Sequence, residues 1–345
     1  MANRYLYLKG CAGLGNRLIT LVKAIDYAKR TNRQIYVDWS DGMFDQPGVN
    51  AFYKYFDLKN DVAVVSNFEE IEHALVNGAS IYPKTLDAKG LRGNFFSTYN
   101  IAGTFLSQKV PFYRVMVTLI IHGKICSVFG LQSWQRLTDK EYGWKALIKK
   151  VYNEDNVMFG AQLPKGVDRD IVTFIDFRPL IKMEKIFRYI KLNDKYAQKF
   201  RKFAEKEDLV MNAIGVHIRA TDKQPKKQIG KLLLKLDAKL CEKPSLNIFL
   251  CTDNMDIQDE MEKRYKGKII SYPKFMPKDV GKRGLHNWAL DHPECNISAR
   301  MFEDSLADMW ILSMCKFLYW QGNSSFSMVS KLIKNDSSTT IDWMK

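Results

Sequence analysis

The sequence is short of the residues on which several protein classes depend. Its six cysteines, Cys11, Cys126, Cys241, Cys251, Cys295 and Cys315, form no Cys-x-x-Cys pair, and none of the five histidines sits beside them at metal spacing. That pattern argues against a zinc site or a disulfide framework and fits small buried or free thiols in a reducing compartment. No apolar run reaches the roughly 20 residues of a membrane span. The most apolar stretch, Pro111 to Leu131, is interrupted by Arg114, His122 and Lys124. The segment from Met1 to Leu8 lacks the basic region, apolar core and cleavage site of a secretion signal, so a cytoplasmic location is expected. No glycine loop ends in Gly-Lys-Ser or Gly-Lys-Thr, which argues against a phosphate-loop hydrolase. Acidic residues are also in deficit, 38 against 53 Lys plus Arg, leaving a net charge of +15 over 345 residues. An anionic partner is one reading of that excess. Only 15 of the basic residues are Arg, so a generic lysine-rich surface is the other.

With 46% hydrophobic residues the chain can bury a large core, and its length predicts two domains. Strand Tyr5–Leu8, the turn Gly10-Cys-Ala-Gly13-Leu-Gly15 and a helix from Asn16 to Arg30 begin the chain. The helix carries a stripe of Leu18, Leu21, Val22 and Ile25. Strand Gln34–Trp39 completes a βαβ unit. A helix capped by Ser66 with Glu69 follows, ending at Asn77-Gly78. The polar stretch Asn153–Asp170 reads as the boundary, dividing a first domain, residues 1–165, from a second, residues 166–345. In the latter, strands 170–175, 213–218, 246–251, 268–272 and 317–320 alternate with helices 193–206, 229–240, 256–265, 299–314 and 326–334. The expected fold class is α/β, with parallel sheets wound on both faces.

Ligands bind outside the carboxyl ends of such sheets, and the polar clusters fall there: Gly13-Leu-Gly15-Asn16-Arg17, His217-Ile-Arg219-Ala-Thr-Asp222-Lys223, Thr252-Asp253-Asn254 and Gly322-Asn-Ser324-Ser325. The first cluster, with Asp38 ending the second strand, resembles a dinucleotide fingerprint whose third glycine is replaced by Leu18. That keeps an NAD-linked oxidoreductase as a competing reading. Arg219, whose planar fork suits phosphate oxygens, reads as a diphosphate anchor or as one half of an ion pair with Asp253. Lys223 offers a second cation, and Lys226 and Lys227 read as a solvated face. Asp253 is a base, a ribose or nucleobase acceptor, or a helix cap. Ser324 and Ser325 open a helix whose N-terminus suits an anion. Asn323-Ser-Ser325 is also a glycosylation sequon, and a glycan there would block the cleft, which again favours the cytosol. Asp168-Arg-Asp170 has the form of a metal-holding Asp-x-Asp but precedes its strand, so no metal is predicted. Trp134, Trp144 and Trp288 are core residues or stack on a sugar.

The motifs of the second half resemble those of the α1,6-fucosyltransferases, the nodulation and core-fucosylating enzymes. His217-Ile-Arg219-Ala-Thr-Asp222-Lys223 is similar to their His-x-Arg-Arg-Thr-Asp-Lys, Thr252-Asp253-Asn254 to their Thr-Asp-Asp, and Gly284-Leu-His-Asn287 with Asp308 and Ser324-Ser325 to their last region. The resemblance spans Ile214 to Ile333 and is weaker at Gly13–Arg17. It implies a GT-B type fold of two Rossmann-like domains facing a central cleft, residues 1–165 on the acceptor side and residues 166–345 binding the GDP-sugar, with GDP-fucose as donor, no cofactor and no metal, and inversion at the anomeric carbon. Carried over, Arg219 binds the β-phosphate with Lys223 as a catalytic helper, and His217, Asp253, Asp308, Ser324 and Ser325 contribute to the donor site, with Asn16 and Arg17 from the first loop. Lys227 stands where core-fucosylating enzymes carry the glutamate base, which leaves Asp41, Asp45 and Asp222 as candidate bases. Ala220 and Asn254 also depart from the family motifs. The expected partners are GDP-fucose and a glycan or lipid-linked oligosaccharide, with the basic stretch Lys182–Lys206 as a candidate contact to an anionic membrane. Another GDP-sugar is an alternative donor. A nucleic-acid-binding protein is a further alternative, disfavoured by the lack of a zinc finger, RNA-recognition motif or long basic arm.

Overall fold

The structure is a computed structural model and describes residues 3–10, 13–59, 61–65, 67–82, 91, 168–174, 186–221, 226–277 and 285–345. The chain divides into two compact units, each assembled from separate segments. One comprises residues 1–11, 20–38 and 60–180, the other residues 12–19, 39–59 and 181–345. A single cut at residue 165 does not describe this division. Strand Ile171–Phe174 pairs with Tyr5–Leu8 in the first unit, whereas two N-terminal segments cluster with the second.

The first unit is built on a parallel sheet. Strand β1 (Tyr5–Lys9) leads through helix α1 (Leu14–Arg30) to β2 (Gln34–Asp38), and α2 (Phe68–Val76) precedes β3 (Ile81–Tyr82) and β4 (Ile171–Phe174). The strand order is β2-β1-β4-β3. Helix α1 buries its predicted stripe, Leu18, Leu21, Val22 and Ile25, and starts at Leu14 rather than Asn16. Helix α2 is capped not by Ser66, which lies outside the described residues, but by Asn67, whose side chain accepts from the Glu69 amide at 2.9 Å. Its end is as expected, with Gly78 at φ +86°. At the end of the β1–β2 pair, Lys9 Nζ lies 2.6 Å from Asp38 Oδ2, both side chains buried, and the Tyr7 hydroxyl donates to the same oxygen.

The second unit contains α3 (Asp194–Lys206), β5 (Ala213–Ile218), α4 (Lys226–Glu242), β6 (Asn247–Thr252), α5 (Met255–Arg264), β7 (Ile269–Ile270), α6 (Ser298–Met314), β8 (Phe317–Trp320), α7 (Ser325–Lys334) and β9 (Thr340–Asp342). Phe56–Leu58 pairs antiparallel with Ile190–Leu192 in a separate two-stranded sheet, and the five strands named here form one parallel sheet in the order β9-β8-β5-β6-β7. Numbered by appearance and read from the far edge, this is the 3-2-1-4-5 order of a doubly wound sheet. The winding reverses between β5 and β8. Ile214, Val216, Ile218, Ile248 and Leu250 form the buried spine of the sheet, covered by Leu232 and Leu236 of α4 and by Trp343. A second core in this unit is aromatic: Trp39 packs edge-on against Phe44, Phe52 and Phe56, and Phe302 of α6 stacks on Phe44 at 4.2 Å. Among the described residues no helix is long and apolar enough to cross a membrane.

Candidate active site

The reversal point between β5 and β8 is where a doubly wound sheet opens a crevice at its carboxyl edge, and most of the expected donor residues lie on these two strands, their loops or their neighbours. Strand β5 ends at Ile218, one residue short of Arg219. The period-two alignment of His217 with Arg219 therefore stops inside the motif, leaving His217 buried and Arg219 half-buried. The loop is fixed through its backbone. The Arg219 amide donates to Gln321 Oε1 at 2.7 Å and its carbonyl accepts from Gln321 Nε2 at 3.3 Å. Gln321, fully buried after β8, also donates to Asn323 Oδ1 at 2.9 Å. It thus joins the two loops that flank the reversal point. No motif in the sequence marks it.

Asp253 does not cap the helix that follows it. Its Oδ1 accepts from the amides of Ala220 at 2.7 Å and Thr221 at 3.3 Å, and its Oδ2 from the Thr221 hydroxyl at 2.5 Å. The carboxylate therefore shapes the Arg219 loop. The cap of α5 is the next residue, Asn254, accepting from the Ile257 amide at 2.9 Å.

Three buried polar atoms here have no hydrogen-bond partner: His217 Nδ1, Asp308 Oδ1 and Ser324 Oγ. Such atoms are costly unless a ligand or water completes them. All three belong to residues expected in the donor site. His217 stacks on Phe326 at 5.0 Å. Its burial, with Arg219 and Lys274 adding positive field, lowers its pKa to about 3, so the imidazole is neutral at ordinary pH. Asp308, on α6, is bound by Lys274 Nζ at 2.6 Å, both side chains under a tenth exposed. Burial opposes the Lys274 charge, and Asp308 more than offsets it, so the ammonium titrates above its ordinary value. Ser324 is the N-cap residue of α7 yet makes no capping hydrogen bond with its side chain.

The glycine turn meets this helix. A Cβ on Gly15 would lie 2.5 Å from the Ser325 carbonyl carbon and 2.7 Å from the Phe326 amide nitrogen, so the approach of two backbones requires glycine. Gly15→Ala is expected to destabilise the protein by about 1–3 kcal/mol, read as a lowered urea midpoint. An unchanged midpoint would contradict the close approach. Asn16 is half-buried in the first turn of α1. Arg17 is only 1% exposed, ion-paired with Asp41 at 2.5 Å and laid over Phe44 at 4.3 Å. It braces the aromatic core, a role that the donor-site expectation does not include. Asp45 pairs with Lys54 at 2.9 Å, so two of the three candidate bases are engaged by cations. Asp222 and Lys223 lie outside the described residues.

Other sequence features resolve into structural roles. Asp38 is engaged by Lys9 and Tyr7, not presented as the ribose acceptor of a dinucleotide fold, and Leu18 is fully buried. Asp168 pairs with Arg4 at 2.9 Å and Asp170 accepts from the Ser80 amide and hydroxyl at 2.7 Å. Trp288 packs against Phe275 and His292, whereas Trp134 and Trp144 lie outside the described residues. In the basic stretch, Lys191, Lys199 and Lys206 are paired with Asp194, Glu303 and Glu207, which neutralises part of its charge. Among the described residues no three His, Cys, Asp or Glu side chains gather as a metal site.

Residues 2–86 match the family model of nodulation protein Z (NodZ). Nodulation protein Z of Sinorhizobium fredii is 41% identical over 66 residues, 19% of this chain and 20% of that protein. The chain is thus aligned over about a fifth of the length of this relative. Solved structures of NodZ are similar over nearly the whole chain. NodZ α-1,6-fucosyltransferase soaked with GDP-fucose has a TM-score of 0.57 at 17% identity, covering 96% of this chain and 92% of that one. Fucosyltransferase NodZ from Bradyrhizobium has a TM-score of 0.56 at 16% identity, covering 96% and 94%. The sequence match falls on the N-terminal quarter, where the motif resemblance is weaker, and not on Ile214–Ile333. The resemblance to the NodZ-type α1,6-fucosyltransferases is thereby borne out, by sequence over residues 2–86 and by an α/β fold of GT-B type over almost the whole chain.

Proposed function

We propose that this protein transfers L-fucose from GDP-fucose to a hydroxyl of a glycan acceptor, with inversion at the anomeric carbon and without a metal ion. One observation carries the reading: His217 Nδ1, Asp308 Oδ1 and Ser324 Oγ, all buried and unpartnered, lie around the reversal point of the sheet together with Arg219. Their chemistries complement the parts of a nucleoside diphosphate. Arg219 and the amides at the N-terminus of α7 suit phosphate oxygens, and Ser324 Oγ donates to the same group. Asp308 Oδ1 needs an N–H or O–H donor. In GDP-fucose a purine base carrying N–H groups meets that need, whereas ionised phosphates cannot.

In the reaction the acceptor oxygen attacks C1 of fucose from the face opposite the nucleotide. The bond from C1 to the β-phosphate oxygen breaks, and GDP leaves with the electron pair. The rate depends on stabilising that new charge, for which preorganised donors are the effective device. Arg219 supplies it, with Lys223 as the second cation in the same motif. The acceptor proton passes to a base, and of the three candidates we retain Asp222, because Asp41 and Asp45 already hold Arg17 and Lys54. Engagement of Asp38 by Lys9 and Tyr7 speaks against the oxidoreductase alternative.

Calorimetric titration tests the reading. GDP is expected to bind, UDP and NAD not to, and GDP release from GDP-fucose with a glycan acceptor is expected to persist in EDTA. Absence of GDP binding would sink the proposal, and turnover of GDP-mannose in place of GDP-fucose would redirect it to another GDP-sugar.

A further inference from the structure

Lys274 belongs to no motif, yet it is the cation on which the least solvated carboxylate of the site depends. It lies beyond β7, with its side chain buried. Its Nζ donates to Asp308 Oδ2 at 2.6 Å and to the Thr252 carbonyl, at the end of β6, at 2.9 Å. The next residue is held to the same helix one turn earlier, with the Phe275 amide 3.0 Å from Asp304 Oδ2. The segment is thus clamped along α6 at positions 304 and 308.

This arrangement leaves the two oxygens of Asp308 unequal. Oδ2 is satisfied by Lys274, and Oδ1 is buried with no partner. We infer that Lys274 is a positioning residue of the donor site: by holding Oδ2 it keeps Asp308 in the orientation that leaves Oδ1 to accept from an N–H or O–H group of the nucleotide. The inference rests on the donor-site reading above and adds a residue to it. The other groups acting here do not replace Lys274. The Cys251 thiol of β6, whose Sγ lies 3.8 Å from the Asp308 carbonyl, is kept neutral by burial. Asp304 on the same helix carries charge of the same sign as Asp308. His217 is uncharged, and Asp253 is occupied by the Ala220–Thr221 loop.

The role differs from simple packing in its dependence on pH. Burial raises the Asp308 pKa, and Lys274 is the main group opposing that rise, ahead of the Cys251 thiol; removing the ammonium therefore moves the pKa further up and favours the protonated carboxyl, which lacks the charge-assisted bond. For Lys274→Met, GDP affinity is expected to fall about tenfold or more at neutral pH. The ratio of wild-type to variant affinity is expected to shrink by up to about tenfold per pH unit as the buffer is raised from about pH 6 to about pH 8.5. Lys274→Arg keeps a cation and is expected to show a pH-independent ratio. A loss in Lys274→Met that does not change with pH, or no loss at all, would overturn the positioning role. If wild type binds no GDP, the donor-site reading fails first and the inference with it. If Lys274→Met does not fold, Lys274→Met/Asp308→Asn, which buries no charge, is compared with Asp308→Asn. Equal affinities support positioning through Asp308, and a further loss in the double variant assigns Lys274 an independent role and refutes it.

Discussion

Replacing Arg219 by alanine is expected to lower the affinity for GDP by about two orders of magnitude. Truncating one member of a hydrogen-bonded charge pair at an interface costs about 2–5 kcal/mol, and each 1.4 kcal/mol is about a factor of ten. The loop keeps its backbone support in this variant. Gln321 bonds the amide and the carbonyl, and Asp253 bonds the two amides that follow. Titration with GDP, paired with a thermal melt, separates loss of binding from loss of folding. Arg219→Lys should fall between wild type and alanine, since it keeps the charge and loses the planar fork. Equal GDP binding by wild type and Arg219→Ala would remove Arg219 from the donor site.

The largest effect on stability is expected at the other sheet. Lys9→Met leaves Asp38 as a carboxylate at 3% exposure, deprived of the ammonium 2.6 Å away. Breaking a buried pair from one side costs about 3–5 kcal/mol, whereas replacing both charges is far milder. Lys9→Met/Asp38→Asn should therefore recover most of the loss, because an amide still accepts from the Tyr7 hydroxyl that now donates to Asp38. Urea denaturation of both variants measures this. A single variant within about 1 kcal/mol of wild type would contradict the burial of the pair.

Much of the second unit was legible because its strands are short apolar runs ending in turn residues. Strands Ala213–Ile218 and Phe317–Trp320 have the bounds expected of them. Two caps were displaced by one residue for a common reason. Asn67 and Asn254 occupy the extended backbone that capping requires, at φ −112° and −136°, and their side chains make the capping bonds. Spacing alone does not say which of two adjacent polar residues takes that conformation. Strand β9 was missed because three residues show no periodicity, and its place is set by pairing with β8. At the site, the motif residues His217, Asp308 and Ser324 were legible. Gln321 and Lys274 were not, since each acts on a partner over 30 positions away. The glycine loop alone places Arg17 at the donor site, whereas its burial against Phe44 and Trp39 comes from aromatics that follow the second strand, which the loop motif does not contain.

The interleaving of the two units constrains how this chain can be divided. Its backbone passes from one unit to the other five times, so neither half is a linear cassette. A fragment starting at residue 166 would lack Trp39, Phe44, Phe52 and Phe56, leaving Phe302 and Trp310 without the rings that cover them. It would also lack Gly15, against which the start of α7 is seated. Exchange of donor specificity between relatives by swapping C-terminal halves would therefore transplant a sheet without part of its core. A working graft has to carry residues 12–19 and 39–59 along with the C-terminal segment.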